Sequence, residues 1–352
     1  MCVAFWTLNH PEYALILCTN RDEYLHRPTA PAHWHSFGPF NADDSGQGSV
    51  LSGRDLLAGG TWAGLTRSGR LALLTNITEP IRKYASSRGD LVSRFLLPKT
   101  PKQSLQAEID AFLGAHRDAV YAGFNLLVLS PDPGPPRGSG LSFDGAFLTN
   151  SGGGGTITGR ILSDHDRPIG AMSNGIDGRD ADEWPKVQHG REALRELLRG
   201  LPRDASEAQI ADRLFALLTW TCEKPPADRS ELRNTIHVVP LPVPLPHATP
   251  SPNGAGAGAG AGAGDGAGAT GTRTPPAATM YYGTRLSTVI LIRRDGNATF
   301  IERDIWALEQ QQPASDADGG GGAMPKPVDT RDSGGRDHDR VFRFQIPIPS
   351  AR

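Results

Sequence analysis

The first two apolar runs and the tetrapeptide that follows them constrain this chain more than any other stretch. Residues 2–8 (CVAFWTL) and 13–19 (YALILCT) are rich in Val, Phe, Trp, Tyr, Ile and Leu, and Asn9-His10-Pro11-Glu12 separates them. Short runs of that composition, joined by turn residues, read as the two strands of a hairpin. With the hairpin centred on His10-Pro11, Cys2 lies opposite roughly residue 19, on strands ~4.8 Å apart. The tetrapeptide Asn20-Arg21-Asp22-Glu23 closes the second run and is thereby carried back to the start of the chain.

That placement has a chemical meaning. Once the initiator methionine is trimmed, Cys2 carries both a thiol and a free α-amine, and the pair can serve as nucleophile and base. An arginine beside the thiol, Arg21, favours the thiolate, and the Asp22 carboxylate can hold the α-amine. The ordinary α-amine pKa of about 7.7 suits a base near neutral pH. A purely structural alternative makes Cys2 a small buried strand residue and Arg21-Asp22 an ordinary turn pair.

The 352 residues contain three cysteines, Cys2, Cys18 and Cys222, with no CxxC pair and no even set. Neither a disulfide framework nor a thiolate zinc site is indicated, and a reducing compartment fits. A formal net charge of -2 and a pI near 6.6 give no electrostatic reason to expect a nucleic-acid partner. No run approaches the ~20 apolar residues that cross a bilayer, and the start lacks a charged region followed by an apolar one. The expectation is a soluble cytoplasmic chain that does not span a membrane. No metal site is expected: His26, His33 and His35 in HRPTAPAHWH read as a surface loop, with no carboxylate or further histidine at a telling spacing.

The 42 glycines and 29 prolines cluster. Residues 131–140, 152–155, 254–272 and 313–337 have the composition of flexible insertions. Strand-like sequence resumes after them, at 281–293 and 341–347, so residues 1–352 read as one domain with elongated loops. Between the insertions, 61–66 and 70–76 form a hairpin across Ser68-Gly69, and 121–129, 141–148 and 168–173 add strands. Residues 90–97, 104–116, 186–199 and 207–220 suit helices; in the last, Ile210, Leu214, Leu217 and Leu218 make one apolar stripe. Strands and helices in grouped runs predict an α+β chain, with sheets packed together and helices outside. Gly59-Gly60 before Trp62 reads as a tight turn or bulge, and Trp34, Trp62 and Trp184 as core or pocket wall.

An ordered set of motifs runs through nearly the whole chain: MC at the start, NRDE at 20–23, LSG at 51–53, GGTWAG at 59–64, LALLTN at 71–76, RG at 88–89, GFNL at 123–126, MSNG at 172–175, YYGTR at 281–285 and TFIER at 299–303. In this order they resemble the NRDE family, also called the transport and Golgi organisation protein 2 family. The Gly-Ala linker and the acidic glycine-rich stretch depart from the compact family pattern as insertions. The resemblance implies a four-layer αββα sandwich of the amino-terminal nucleophile hydrolase type, similar to cysteine amidases that cleave bile-salt conjugates or penicillin side chains. It further implies links to Golgi organisation, protein secretion, haem trafficking and lipid metabolism, with possible Golgi or mitochondrial association. Carried across residue by residue, it makes Cys2 the nucleophile, Arg21 and Asp22 its neighbours, and Asn76 and Asn174 the asparagines of the oxyanion site. Arg285 matches the late arginine, and Asn20 and Trp62 are assigned to substrate binding. The expected activity is hydrolysis or acyl transfer on an amide or thioester of a small or lipid-like ligand, without a cofactor. The alternative is a non-catalytic carrier of haem, as bound cargo, or of an acyl chain.

Because this chemistry needs the α-amine of Cys2, the mature protein is expected to begin at Cys2 with that amine unblocked. Intact-mass analysis checks it, and retained Met1 or acetylated Cys2 in most molecules would contradict it.

Overall fold

The structure is a computed structural model that describes residues 1–38, 48–80, 82–98, 104–132, 140–244, 279–309, 323–329 and 339–348. Strands β1 (Val3–Thr7), β2 (Tyr13–Tyr24), β3 (Thr29–His35), β4 (Val50–Asp55), β5 (Ala63–Thr66) and β6 (Leu71–Asn76) come first, followed by helices α1 (Arg88–Leu96) and α2 (Leu105–Ala115). Strands β7 (Phe124–Pro131), β8 (Phe143–Thr149), β9 (Thr158–Ile161) and β10 (Gly170–Met172) precede the second helix pair, α3 (Pro185–Arg199) and α4 (Glu207–Leu218). The chain closes with β11 (Leu241–Pro244), β12 (Thr279–Arg293), β13 (Asn297–Asp304), β14 (Trp306–Glu309), β15 (Met324–Pro327) and β16 (Arg340–Gln345).

Two antiparallel sheets carry the fold. One has the order β10-β1-β2-β12-β13-β16, with β11 also paired to β12; the other runs β3-β4-β5-β6-β7-β8-β9. Strand alternation decides which residues meet which layer. Ala4, Trp6, Leu15, Leu17 and Ile290 face the second sheet and pack on its Leu51, Leu65, Leu73 and Leu127. Their neighbours Val3, Phe5, Ile16, Cys18 and Val289 point the other way, onto Leu194 of α3 and Ile210, Leu214 and Leu218 of α4. On the far side, Ala72, Leu74, Leu126 and Val128 pack on Leu91, Val92 and Phe95 of α1 and Ile109 of α2. Helices thus cover the outer face of each sheet, giving the four-layer αββα sandwich that the family resemblance implies. The helix layer sits close: a Cβ on Gly190 of α3 would come within 2.0 Å of the Phe5 ring.

Local signals account for most boundaries. Ser104 caps α2 through Ala107 N, and Ser206 with Gln209 closes a capping box on α4. The four helices lie within about two residues of the stretches that suit them in sequence. Five expectations are corrected. The β1–β2 register pairs Val3 with Asn20, so Cys2 falls opposite Arg21 rather than residue 19. His10 Nδ1 accepts from the backbone N–H of Glu12 at 3.2 Å and Tyr13 at 3.3 Å, which moves the turn one residue later; the shift of two keeps every side chain on its expected face. The tetrapeptide 20–23 does not end a strand but lies inside β2, paired to β12.

The stretch HRPTAPAHWH is largely strand β3 instead of a loop. As the edge strand it tolerates Pro31, beside a register shift between Ala30 and His33. His35 is fully buried with Nε2 2.8 Å from Ser52 Oγ, while His33 Nδ1 lies 2.9 Å from Pro31 O. Glycines 152–155 are pinned rather than loose: Glu79 accepts from Gly153 N at 2.7 Å and from Gly123 N at 2.6 Å. Within 313–337, residues 324–327 form β15 against β14. Residues 254–272, 133–139, 310–322 and 330–338 lie outside the described residues.

Candidate functional site

Strand β1 is held on both sides, by β2 and by β10, so the chain start is drawn into the interior. Met1 is 4% exposed. Its α-ammonium pairs with Asp22 Oδ2 at 3.1 Å and donates a hydrogen bond to the Tyr282 hydroxyl. Lys186 Nζ donates to the Met1 carbonyl oxygen at 2.8 Å, and Thr78 Oγ1 to its thioether sulfur at 2.9 Å. The β2–β12 register sets Thr284 opposite Asp22, and Thr284 Oγ1 donates to Asp22 Oδ1 at 2.7 Å. The Tyr282 hydroxyl donates to the Asp22 backbone oxygen at 2.9 Å. With Met1 in place, Asp22 therefore holds the Met1 α-amine, and Cys2 has no free α-amine in that state.

Alternation separates these first two residues. Met1 shares the face of Val3 and Phe5, toward α3, whereas Cys2 shares the face of Ala4 and Trp6, toward the second sheet. Cys2 is half-buried, with Sγ 3.8 Å from the Asp22 backbone oxygen, and it lines a cavity of about 130 Å³ together with Arg21, Glu23, Trp62, Asn76 and Arg88. The Arg21 guanidinium lies 4.0 Å over the Trp62 ring. Among the described residues its Nη1 is buried without a hydrogen-bond partner. Asp55, also in the wall, takes the Arg27 guanidinium at 2.6 Å.

Cys2, Arg21, Asp22, Asn76 and Trp62 are thus brought together, and three other candidates are not. Asn174 is 4% exposed and lies outside the cavity wall; its amide donates to the Asn76 backbone oxygen. Arg285 occupies the irregular step between Thr284 and Leu286 in β12 and donates to Thr29 Oγ1 and to the backbone oxygen of Arg27, a wall residue, without itself lining the cavity. Asn20 faces the helix layer, where its Nδ2 donates to Leu218 O at 2.9 Å and Ile236 O at 3.1 Å and its Oδ1 accepts from Ser287. The assignment of Asn20 to substrate contact conflicts with the period-two rule: Arg21 and Glu23 occupy the open face, so Asn20 turns from it.

Burial dominates the electrostatics. It pushes the Cys2 thiol above its ordinary pKa, against the pull of the Met1 ammonium and the smaller pull of Arg21. With Met1 in place, burial therefore outweighs the pull of Arg21 on the thiol. Two amines beside it are biased toward the neutral form. Burial lowers the Met1 ammonium despite Asp22, and it lowers Lys186 to about 8. Tyr282 is raised well above its ordinary value by the same burial. Among the described residues, no group of three His, Cys, Asp or Glu side chains could hold a metal ion.

Lys186, Tyr282, Thr284 and Arg88 were not singled out from sequence. Lys186 did leave a signal, since a lysine in the first turn of a helix opposes the helix dipole. Tyr282 and Thr284 share a strand face with period two, but only the β2 register shows that this face meets Asp22.

The Lys186 shift fixes a pH dependence. Between pH 8 and 10.5 the unfolded chain holds a proton that folded Lys186 has released, so stability rises with pH across that window. Lys186→Met removes this contribution. In denaturant melts, the stability of the wild type relative to the variant is expected to grow by on the order of 2–3 kcal/mol from pH 7.5 to 10.5. A difference that stays flat would contradict the burial of a charged Lys186.

Comparison with known proteins agrees with the motif order. Residues 1–307 match the family described as Transport and Golgi organisation 2. The chain is 29% identical over 321 residues to the Transport and Golgi organization protein 2 homolog of Bos taurus, covering 87% of this chain and 93% of that one. It is 26% identical over 317 residues to the homolog of Homo sapiens, with the same two shares, 87% and 93%. Among solved structures it is similar to a Caenorhabditis elegans N-acylethanolamine-hydrolyzing acid amidase ortholog, with TM-score 0.40 and 12% identity over 67% of this chain and 90% of that one. The chain belongs to the Transport and Golgi organisation 2 family.

Proposed function

We propose that this protein is a cysteine hydrolase or acyl-transfer enzyme acting on an amide or thioester bond of a small or lipid-like substrate. The observation that carries the reading is a single thiol, Cys2, at the wall of a polar cavity that also presents the unpartnered Arg21 Nη1 and the side of Asn76. With Met1 removed, the Cys2 α-amine takes the thiol proton, directly or through a water, and Sγ attacks the substrate carbonyl carbon. The carbonyl oxygen gains the negative charge, which in this reading Arg21 Nη1 and the Asn76 amide receive. Collapse expels the leaving amine or thiol with the proton, and water then cleaves the acyl thioester. Asn174 serves as a positioning residue through Asn76.

In this reading the family's role in Golgi organisation, and with it protein secretion, lipid metabolism or haem trafficking, is served from the cytoplasm by peripheral association with Golgi or other membranes. No described helix is long and apolar enough to cross a membrane. One observation favours the carrier alternative: a groove of about 530 Å³ beside the β1–β2 turn, with Tyr13, Ile169, Leu198 and Ile210 as apolar lining and Arg199 and Arg203 beside them. That lining suits an acyl chain with an anionic head.

The test is a panel of amide and thioester acyl donors, followed by the mass of the Cys2 peptide. An acyl adduct on Cys2 is expected, with turnover abolished in Cys2→Ala and lowered about 10²-fold in Asn76→Ala. Turnover that survives Cys2→Ala would overturn the hydrolase reading. Retention of a fluorescent fatty acid by a protein that shows neither adduct nor turnover would favour the carrier.

A further inference from the structure

Two cations in the wall of the Cys2 cavity have no counter-ion. Three arginines and three carboxylate residues contribute to that wall: Arg21, Arg27 and Arg88, with Asp22, Glu23 and Asp55. Each carboxylate is engaged. Asp22 is turned to the chain terminus and Thr284, and Asp55 takes the Arg27 guanidinium at 2.6 Å. Glu23 Oε1 accepts from Tyr24 N at 2.9 Å, and its Oε2 lies 3.9 Å from Arg27 Nε. Arg21 is 4% exposed, rests its guanidinium on Trp62 and keeps Nη1 without a partner among the described residues. Arg88 gives Nη1 to Gly123 O at 2.9 Å and forms no ion pair among the described residues. Burial weighs against the charge on both. An oxyanion, formed only in the tetrahedral stage, balances one of them; the other calls for charge that the ligand brings.

The local fold holds Arg88 in place. It is the first residue of α1, where a cation opposes the helix dipole, and the N-cap Ser87 makes no side-chain capping bond. Ser87, Arg88 and Gly89 all line the cavity, so the cavity meets α1 at its N-terminus. That end is pressed against the turn before β5. A Cβ on Gly60 would come within 2.6 Å of the Gly89 carbonyl carbon, and one on Gly89 within 3.2 Å of Thr61 O. The glycines of GGTWAG and of Arg88-Gly89 thus set the start of the helix, while Trp62 of the same motif sets Arg21. A helix N-terminus flanked by two guanidinium groups without counter-ions favours an anion.

We propose that Arg88 is a specificity-determining residue of the Cys2 cavity, and that with the start of α1 it binds a carboxylate on the substrate, placed a short way from the carbonyl that Cys2 attacks. The carboxylate is carried on the acyl side, as in a half-amide or half-thioester of a short dicarboxylic acid, or on the leaving side, as in an N-acyl amino acid. It accepts from the Arg88 donors that the Gly123 carbonyl leaves free, and Arg21 Nη1 stays available to the carbonyl oxygen. A cavity of about 130 Å³ with this wall suits a compact anionic group rather than a long acyl chain. The subsite deepens the hydrolase reading by naming a substrate class and rests on that reading for the attack by Cys2, but binding of the carboxylate does not depend on turnover.

Binding is read by calorimetric titration of Cys2→Ala protein, shown by intact mass to lack Met1, with succinate and with succinamide as its neutral counterpart. Succinate is expected to bind about tenfold or more tightly than succinamide. Arg88→Met is expected to remove that difference and Arg88→Lys to keep part of it, since a point charge replaces the fork; Arg88→Lys decides the matter if melts show that Arg88→Met does not fold. In turnover, kcat/KM for a succinyl over a butyryl thioester tests the acyl side, and for butyrylglycine over butyrylglycinamide the leaving side. One of these ratios is expected to be about tenfold or more in wild type and to fall toward unity in Arg88→Met, through KM. Equal binding of succinate and succinamide, a difference that survives undiminished in the Arg88 variants, or both ratios near unity would each overturn the subsite. Arg88-dependent succinate binding by a protein that turns over no donor would overturn the hydrolase reading alone; turnover with no preference for a carboxylate would overturn the subsite alone.

Discussion

The buried ion pair between the first α-amine and Asp22 is the constraint on which the site depends. An ammonium and a carboxylate removed from water are stable only when each is otherwise satisfied, and the pair meets this through Tyr282 and Thr284 of β12. That requirement ties three strands together at one end of the first sheet. It fixes where β1 starts, and strand alternation then sends Cys2 to the cavity and Met1 to the helix layer. The carboxylate does not touch the thiol; it sets the terminus from which the thiol's position follows.

Much of this architecture was legible in the residues. The apolar runs at the chain start, the hairpin near Ser68-Gly69 and the four helices each carry periodicity or caps, which are local signals that packing reinforces. The parts that were not legible depend on partners distant in sequence. Strand β3 reads as a surface loop around its histidines, and its position at the edge of the second sheet is what makes Pro31 harmless. The β1–β2 register was displaced by two because a histidine ring nitrogen reshapes the turn, a detail no apolar pattern encodes. Glycines 152–155 read as slack until Glu79, far earlier in the chain, is seen to bind their backbone.

The site divides in the same way. Cys2, Arg21 and Asp22 are close in sequence or joined by one hairpin, so their proximity could be read. Asn20 sits in the same tetrapeptide, yet one step along a strand reverses its face and spends its amide on the end of α4. Asn174 and Arg285 entered by motif order, which locates a segment without saying where a side chain points. Lys186, buried beneath the first carbonyl, was obscured because a single lysine at a helix start looks like a solvated surface group. The electrostatic expectation inverted for a related reason: proximity of Arg21 argued for a thiolate, but the burial that brings Arg21 close also penalises the charged sulfur.

With Met1 in place, the anchored terminus is tested most directly by the rate at which an amine-reactive acetylating reagent labels the Met1 α-amine, read by mass spectrometry of the terminal peptide in folded and urea-unfolded protein that retains Met1. The expected result is labelling slowed about 10²-fold or more by folding, with Asp22→Asn recovering part of the difference. Equal rates in the folded and unfolded protein would contradict a terminus buried against Asp22.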